Sequence, residues 1–130
     1  MKLLDTDFLV GILRNNKDAE ARIAGYDKEG RQATTTINAF ELFYGAHKSR
    51  DEEHNVKEVY RLLSRLILLP FNVKSAETAG GMFATLERKG SMLDSRDVMI
   101  AGVALENQLS LVTRNRKDYG RIPGITIEEW

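Results

Sequence analysis

Four acids stand at comparable places along the 130-residue chain. Asp5 directly follows the apolar pair Leu3-Leu4. Glu41 lies in the first turn of the helix that should follow Ala33–Ile37, and Asp97 in the first turn of one starting near Asp94. Asp118 comes just after Leu109–Thr113, in a segment opened by Asn115. Singly, each acid is accounted for by helix capping. Asn38-Ala39-Phe40-Glu41 reads as a variant capping box, with Asn38 as cap and Glu41 reaching back. Asp94 reads as a cap followed by a dipole-favoured Asp97. Four acids on one edge are another matter. Converging carboxylates repel, and the repulsion raises the pKa of some of them as the site dries. A sequence that keeps them neutralises them with something. There is no cysteine, and His47 and His54 fall on or beside polar helix faces away from these segments. Oxygen-only donors point to a hard cation, Mg²⁺ or Mn²⁺.

The elements that must bring the acids together follow from apolar patterning. Leu3-Leu4, Ala33–Ile37, Ile67–Leu69, Leu109–Thr113 and Ile125–Ile127 read as strands. Helical stretches fall around Phe8–Leu13, Ala19–Tyr26, Lys74–Arg88 and Ser95–Glu106. Val56, Val59, Tyr60, Leu63 and Leu66 form one face of a further amphipathic helix. Gly80-Gly81, inside a helix at a cost of about 1 kcal/mol each, would mark either a close helix crossing or a place where the helix does not run through. Phe40, Phe43 and Tyr44, beside Leu42, read as core rather than as base-stacking rings. Strands separated by helices predict an α/β fold, a single domain over 1–130. Its mostly parallel sheet of about five strands is flanked by helices on both faces. All carboxyl ends then share one edge, where ligands bind such sheets. Asp5 and Asp118 converge there, with Glu41 and Asp97 in the helical turns above.

Composition narrows the function classes. Apolar residues make up 42% and charged ones 29%, which excludes a disordered or collagen-like chain. Absent cysteine removes disulfide scaffolds, thiol nucleophiles and zinc ribbons. Nineteen basic and nineteen acidic residues cancel, so any nucleic-acid partner must be met by local charge. No unbroken apolar run exceeds four residues, as in Leu66–Leu69, so no membrane segment is expected. The N-terminus reaches Asp5 too soon for a signal peptide, and a cytoplasmic location is the expectation.

The motifs resemble those of one family. Leu3-Leu4-Asp5-Thr6-Asp7 resembles the opening of PIN-domain ribonucleases, and Glu41-Leu42-Phe43-Tyr44-Gly45 their second motif. Asp97-Val98-Met99-Ile100-Ala101 resembles the third, and Leu111-Val112-Thr113-Arg114-Asn115-Arg116-Lys117-Asp118-Tyr119 the fourth. Gly124-Ile125 and Glu128-Glu129-Trp130 resemble the family's tail. Order and spacing match over the whole chain, most closely in the VapC-type toxins of toxin–antitoxin pairs. Asp7 stands where asparagine is common, and Tyr119 where phenylalanine is.

The resemblance implies a metal-dependent endoribonuclease. Asp5, Glu41 and Asp97 would ligate Mg²⁺ or Mn²⁺, with Asp118 completing the catalytic site directly or through water. Thr113 and Asn115 would hold the fourth corner, Thr6 and Asp7 would fix the first turn, and Asp94 would be a cap or an extra site acid. Such an ion activates water for in-line attack on a phosphodiester. Arg114, Arg116, Lys117 and Arg121, opposed only by Asp118, would grip flanking RNA phosphates or form a solvated loop. A homodimer and a small antitoxin partner are implied too. The apolar residues of the helices near Ala19–Tyr26 and Val56–Leu66 suffice to form a groove for a partner's amphipathic segment, and the antitoxin should place a basic side chain near the acids. Two alternatives stand beside this. Leu3–Asp7 also resembles the first motif of haloacid-dehalogenase-type phosphatases, with Asp5 as nucleophile, though little chain remains after Thr113 for the lysine and acidic pair they need. A non-catalytic, protein-binding PIN scaffold is the other.

Overall fold

The computed structural model describes residues 1–130. The chain runs β1 (Leu3–Leu4), α1 (Thr6–Leu13), α2 (Lys17–Asp27), β2 (Ala33–Thr35), α3 (Thr36–His47) and α4 (Glu52–Ser64). It continues through β3 (Ile67–Leu69), α5 (Val73–Arg88), α6 (Ser95–Glu106), β4 (Leu111–Val112), α7 (Arg116–Tyr119) and β5 (Ile127–Glu128). All strand pairs are parallel, in the order β3-β2-β1-β4-β5. The chain works outward from β1 through β2 to β3, then crosses back to lay β4 and β5 on the other side. β1 and β4 therefore flank the switch point, where a crevice opens at the carboxyl ends.

Successive strand residues point to opposite faces, so even two-residue strands serve two cores. Leu4 and Val112 pack with Phe8, Leu9, Leu42 and Leu62 beneath α1, α3 and α4. Leu3 and Leu111 pack with Leu86, Ile100 and Val103 beneath α5 and α6. Helices thus cover both faces, as the patterning predicts. No helix is long and apolar enough to cross a membrane.

Several boundaries differ from the sequence reading, each for a local reason. The strand read as Ala33–Ile37 stops at Thr35, whose hydroxyl accepts the backbone N–H of Asn38 at 3.0 Å. The Asn38 amide oxygen accepts the N–H of Thr35 in return, at 3.3 Å. This box makes Thr35 the cap of α3, not Asn38, so Glu41 lies in the second turn and does not reach back. β4 keeps only Leu111–Val112 of Leu109–Thr113. β5 is Ile127–Glu128 rather than Ile125–Ile127, because Gly124, at φ +84°, is still turning the chain. Asp94 does cap α6, accepting the N–H of Arg96 at 2.8 Å. Gly80 and Gly81 have open space beside them. The close crossing of α5 and α6 is at Gly102 instead, where a Cβ would lie 2.9 Å from both the Ala79 Cβ and the Ser75 carbonyl oxygen. Phe40 and Tyr44 are not core. α3 buries Asn38, Ala39, Leu42 and Ala46, which leaves Phe40 and Tyr44 on the opposite face, 56% and 55% exposed. Phe43 does pack against the core beneath α3.

Candidate active site

Asp5 leaves β1 at the switch point and is buried. Its carboxylate accepts the Thr113 hydroxyl at 2.8 Å, the Asn38 amide at 3.0 Å and the Tyr119 hydroxyl at 3.4 Å. These donors come from the ends of β4, α3 and α7, so three elements converge on one side chain. Asp97, in the first turn of α6, accepts from the same Tyr119 hydroxyl at 3.3 Å. Glu41 comes from α3 and accepts the Thr6 hydroxyl at 2.7 Å, while Thr6 accepts the Asn38 amide at 2.9 Å. Asp118 lies in α7, which Asn115 caps by accepting the Asp118 N–H at 3.4 Å.

The acids feel one another. Burial, then the nearby Asp7 charge, pushes Asp5 up to about 7, against the opposing Thr113 hydrogen bond. Burial, then the charge of Asp94, pushes Asp97 up to about 6, with Glu41 and Asp118 adding to the rise. Burial between Asp5 and Asp97 raises the Tyr119 phenol, which therefore stays a neutral donor. Asp94 is held below the usual carboxylate range by the backbone N–H and then the side chain of Arg96. It behaves as a cap with an exposed charge.

Asp7 is a structural hub. It accepts the Trp130 indole N–H at 2.9 Å and the Arg114 backbone N–H at 3.0 Å, with the Thr113 hydroxyl at 3.1 Å. Most of the proposed phosphate-binding cations already have partners. Arg114 stacks on the Trp130 ring at 3.6 Å, Arg116 pairs with Glu129 at 2.9 Å, and Arg121 pairs with Asp118 at 3.1 Å. Lys117 makes no ion pair.

Three functional contacts escaped the sequence reading. Asn38, read as a cap, is the amide that ties Asp5 to Thr6. The Tyr119 hydroxyl joins Asp5 to Asp97, and a tyrosine in place of the family's phenylalanine was its signal. Arg96 sits 3.7 Å from Glu41 and 3.4 Å from Asp94.

The donor set fits a hard divalent cation in kind: carboxylate oxygens, with hydroxyl and amide groups orienting them and no histidine or cysteine among them. As the side chains stand, no three acids close on a single ion-sized point. Glu41 is turned to Thr6 and Arg96, and Asp118 to Arg121. The phosphatase alternative finds no support here. Asp5 is buried under neutral donors, with no lysine bonded to it.

The PIN domain model matches residues 2–124. The tRNA(fMet)-specific endonuclease VapC of Salmonella typhimurium is 37% identical over 128 residues, 98% of this chain and 96% of its own. Ribonuclease VapC2 of Rickettsia felis is 32% identical, with the same two coverages. The crystal structure of VapBC2 from Rickettsia felis, bound to a promoter DNA fragment, superposes with a TM-score of 0.92 at 31% identity, over 99% of this chain and 98% of that one. DNA-bound VapBC from Salmonella typhimurium gives 0.90 at 35%, over 100% and 99%. With the acids in place at the switch point and relatives matched nearly end to end, the chain belongs to the PIN-domain family, in its VapC ribonuclease branch.

Proposed function

We propose that this protein is the toxin of a toxin–antitoxin pair, an endoribonuclease that hydrolyses RNA phosphodiester bonds with Mg²⁺ or Mn²⁺. The observation that supports the reading is that carboxylates from four separate segments line the switch-point edge, without three of them closing on one point, and that two of them are pushed up first by burial and then by neighbouring acids. Asp5, Glu41 and Asp97 would hold the ion, and Asp118 would complete its shell directly or through water. When bound, the ion supplies Lewis acidity, activating water and offsetting charge on the scissile phosphate. The chain's own groups set the geometry. Thr113 and Asn38 hold Asp5, Thr6 holds Glu41 by its Oε1 alone, Tyr119 links Asp5 to Asp97, and Asn115 places Asp118. Lys117, unpaired, is free for a flanking phosphate.

An antitoxin would lie in the groove of about 800 Å³ between α1, α2, α3 and α4, lined by Val10, Leu13, Ile23, Leu42, Val59 and Leu62, with Glu41 also in its wall. Its walls include the two helices that the sequence reading chose for a partner. A homodimer in the cytoplasm completes the proposal.

The test is cleavage of total RNA, and of tRNA(fMet) in particular, with Mg²⁺, Mn²⁺, Ca²⁺ or EDTA. Mg²⁺ and Mn²⁺ should support cleavage. Ca²⁺ should bind yet support little, because its longer, looser coordination holds water poorly. Full cleavage in EDTA would overturn the metal assignment. No cleavage with any ion, beside a co-purifying partner, would leave the non-catalytic scaffold. Light scattering showing only a 14.7 kDa monomer would remove the dimer.

A further inference from the structure

The four acids fall into two kinds. Asp5 and Asp97, on the inside, are held by neutral donors, the hydroxyls of Thr113 and Tyr119 and the amide of Asn38. Glu41 and Asp118, at the rim, each have a guanidinium beside them, Glu41 in addition to the Thr6 hydroxyl that donates to its Oε1 at 2.7 Å. Arg96 Nη1 is 3.7 Å from Glu41 Oε2, and Arg121 Nη2 is 3.1 Å from Asp118 Oδ1. With the Thr6 bond on Glu41 and these pairings, the two rim acids stand turned away from the common point that an ion would occupy.

Arg96 is the more telling of the two. It directly precedes Asp97 in the first turn of α6, and its Nε bonds to Asp94 Oδ1 at 3.4 Å. Its backbone is fixed by the Asp94 cap, so the guanidinium pivots without leaving the mouth of the site. The side chain is 43% exposed, and the contact with Glu41 is longer than a hydrogen bond. Pairs of that kind are weak and readily exchanged. A divalent ion drawing in Glu41 would displace Arg96. A guanidinium released beside the reacting phosphodiester meets the group whose paired oxygens match its fork.

We infer that Arg96 is an exchanging counter-ion. It neutralises Glu41 in the ion-free site and passes to a substrate phosphate when Glu41 turns to the ion. This rests on the metal-dependent ribonuclease reading above, and it makes Arg96 a substrate-binding residue that this chain adds to the four acids.

The experiment compares wild type, Arg96→Gln and Arg96→Lys. Mn²⁺ titration by calorimetry without RNA reads the first half. Arg96→Gln should bind Mn²⁺ several-fold more tightly, since a competing cation is gone, whereas Arg96→Lys should stay near wild type. Cleavage kinetics on tRNA(fMet), or on whichever RNA the wild type cuts, read the second half. Arg96→Gln should raise KM about tenfold with kcat little changed, and should lower the slope of log kcat/KM against log salt by about one. Arg96→Lys should keep the salt slope yet show part of the KM rise, because the charge remains and the two-pronged contact is gone. Unchanged Mn²⁺ affinity in Arg96→Gln would overturn the counter-ion role. Tighter Mn²⁺ binding with unaltered KM and salt slope would overturn the passage to phosphate. If the wild type cuts no RNA, the ribonuclease reading fails, while the Mn²⁺ titration still decides whether Arg96 competes for Glu41.

Discussion

Asp97 and Asp94 are three residues apart in the same helix start, yet their surroundings assign them different work. Asp94 is exposed and bonds its own helix, and its pKa is lowered. Asp97 faces Tyr119 and the other acids and is pushed up to about 6. A purely dipole-favoured acid would lose a few tenths to about 1 kcal/mol on conversion to asparagine. An acid crowded by like charge should gain instead. Asp97→Asn is expected to stabilise the metal-free protein by about 1–2 kcal/mol after allowing for solvent screening. It should abolish cleavage and most of the Mn²⁺-induced rise in melting temperature. Asp94→Asn should keep most activity, since asparagine caps nearly as well. Burial first, and that crowding second, fix a pH dependence. Asp5 at about 7 and Asp97 at about 6 bind protons more tightly in the folded state than in the unfolded chain, where both lie near 3.8. Their contribution to stability is full below the unfolded value and lost as pH rises through the folded ones. The melting temperature in EDTA should therefore fall between about pH 5 and about pH 8, and Asp97→Asn should flatten the acidic part of that fall. Mn²⁺ competes with these protons, so its stabilising effect should grow over the same range. A metal-free melting temperature that climbs with pH there, or a less stable Asp97→Asn that still cuts RNA, would return Asp97 to a capping role.

Between elements, small residues act by what they face rather than by their number. Gly80→Ala and Gly81→Ala point into open space from inside α5 and should each stabilise by about 0.5–1 kcal/mol through helix propensity. Gly102→Ala has the same propensity gain but drives its methyl against the Ser75 carbonyl oxygen, which is backbone and cannot swing aside. It should destabilise by roughly 1–3 kcal/mol. Thermal melts of the three single variants check both signs, and a stabilised Gly102→Ala would show that α5 and α6 separate freely. The sequence carries the periodicities from which these helices are read, but not which glycine meets a neighbour, since Ala79 and Gly102 are joined only by the fold. The β2–α3 junction shows the same limit. Thr35 is as good a strand residue as a cap, and only the reciprocal bonds with Asn38 decide it. The cap lies three residues before the expected Asn38, which moves Glu41 from the first turn to the second and makes Asn38 a site donor rather than the cap. On α3, Phe40 and Tyr44 share helical spacing with the buried positions, and hydrophobicity alone does not say which arc faces the sheet. Order of elements, the parallel sheet and the segments bearing the acids were legible because long apolar periodicities and short strands carry them. Side-chain partners across the fold were not.

Across the molecule, charge is settled between distant segments. The run from Arg114 to Arg121 looks like a free basic patch when counted locally, but Glu129, Asp18 and Asp118 partner its arginines. Little of that patch is left unpaired to attract a nucleic acid, which agrees with the zero net charge. What the surface does offer is the groove between α1, α2, α3 and α4, where apolar side chains such as Leu13 and Ile23 stand among charged ones such as Glu20, Arg61 and Arg65, with Glu41 in its wall. An amphipathic segment lying there buries its apolar side chains against Leu13 and Ile23 and ends at the mouth of the acid site. Occupation and inhibition are then one event, and a basic side chain on the occupant would meet the acids. Leu13→Lys and Ile23→Lys test this with little threat to the fold, because both positions are only partly buried and a lysine can carry its charge out to water. With the partner seated, that escape is closed and the charge is desolvated. Each variant should bind the co-expressed antitoxin about 100-fold less tightly, a loss of roughly 3 kcal/mol, and should go on cutting RNA at antitoxin concentrations that silence the wild type. Calorimetry against the purified partner and an RNase titration read the two halves. Undiminished affinity in both variants would place the antitoxin on another face, and would separate inhibition from this groove.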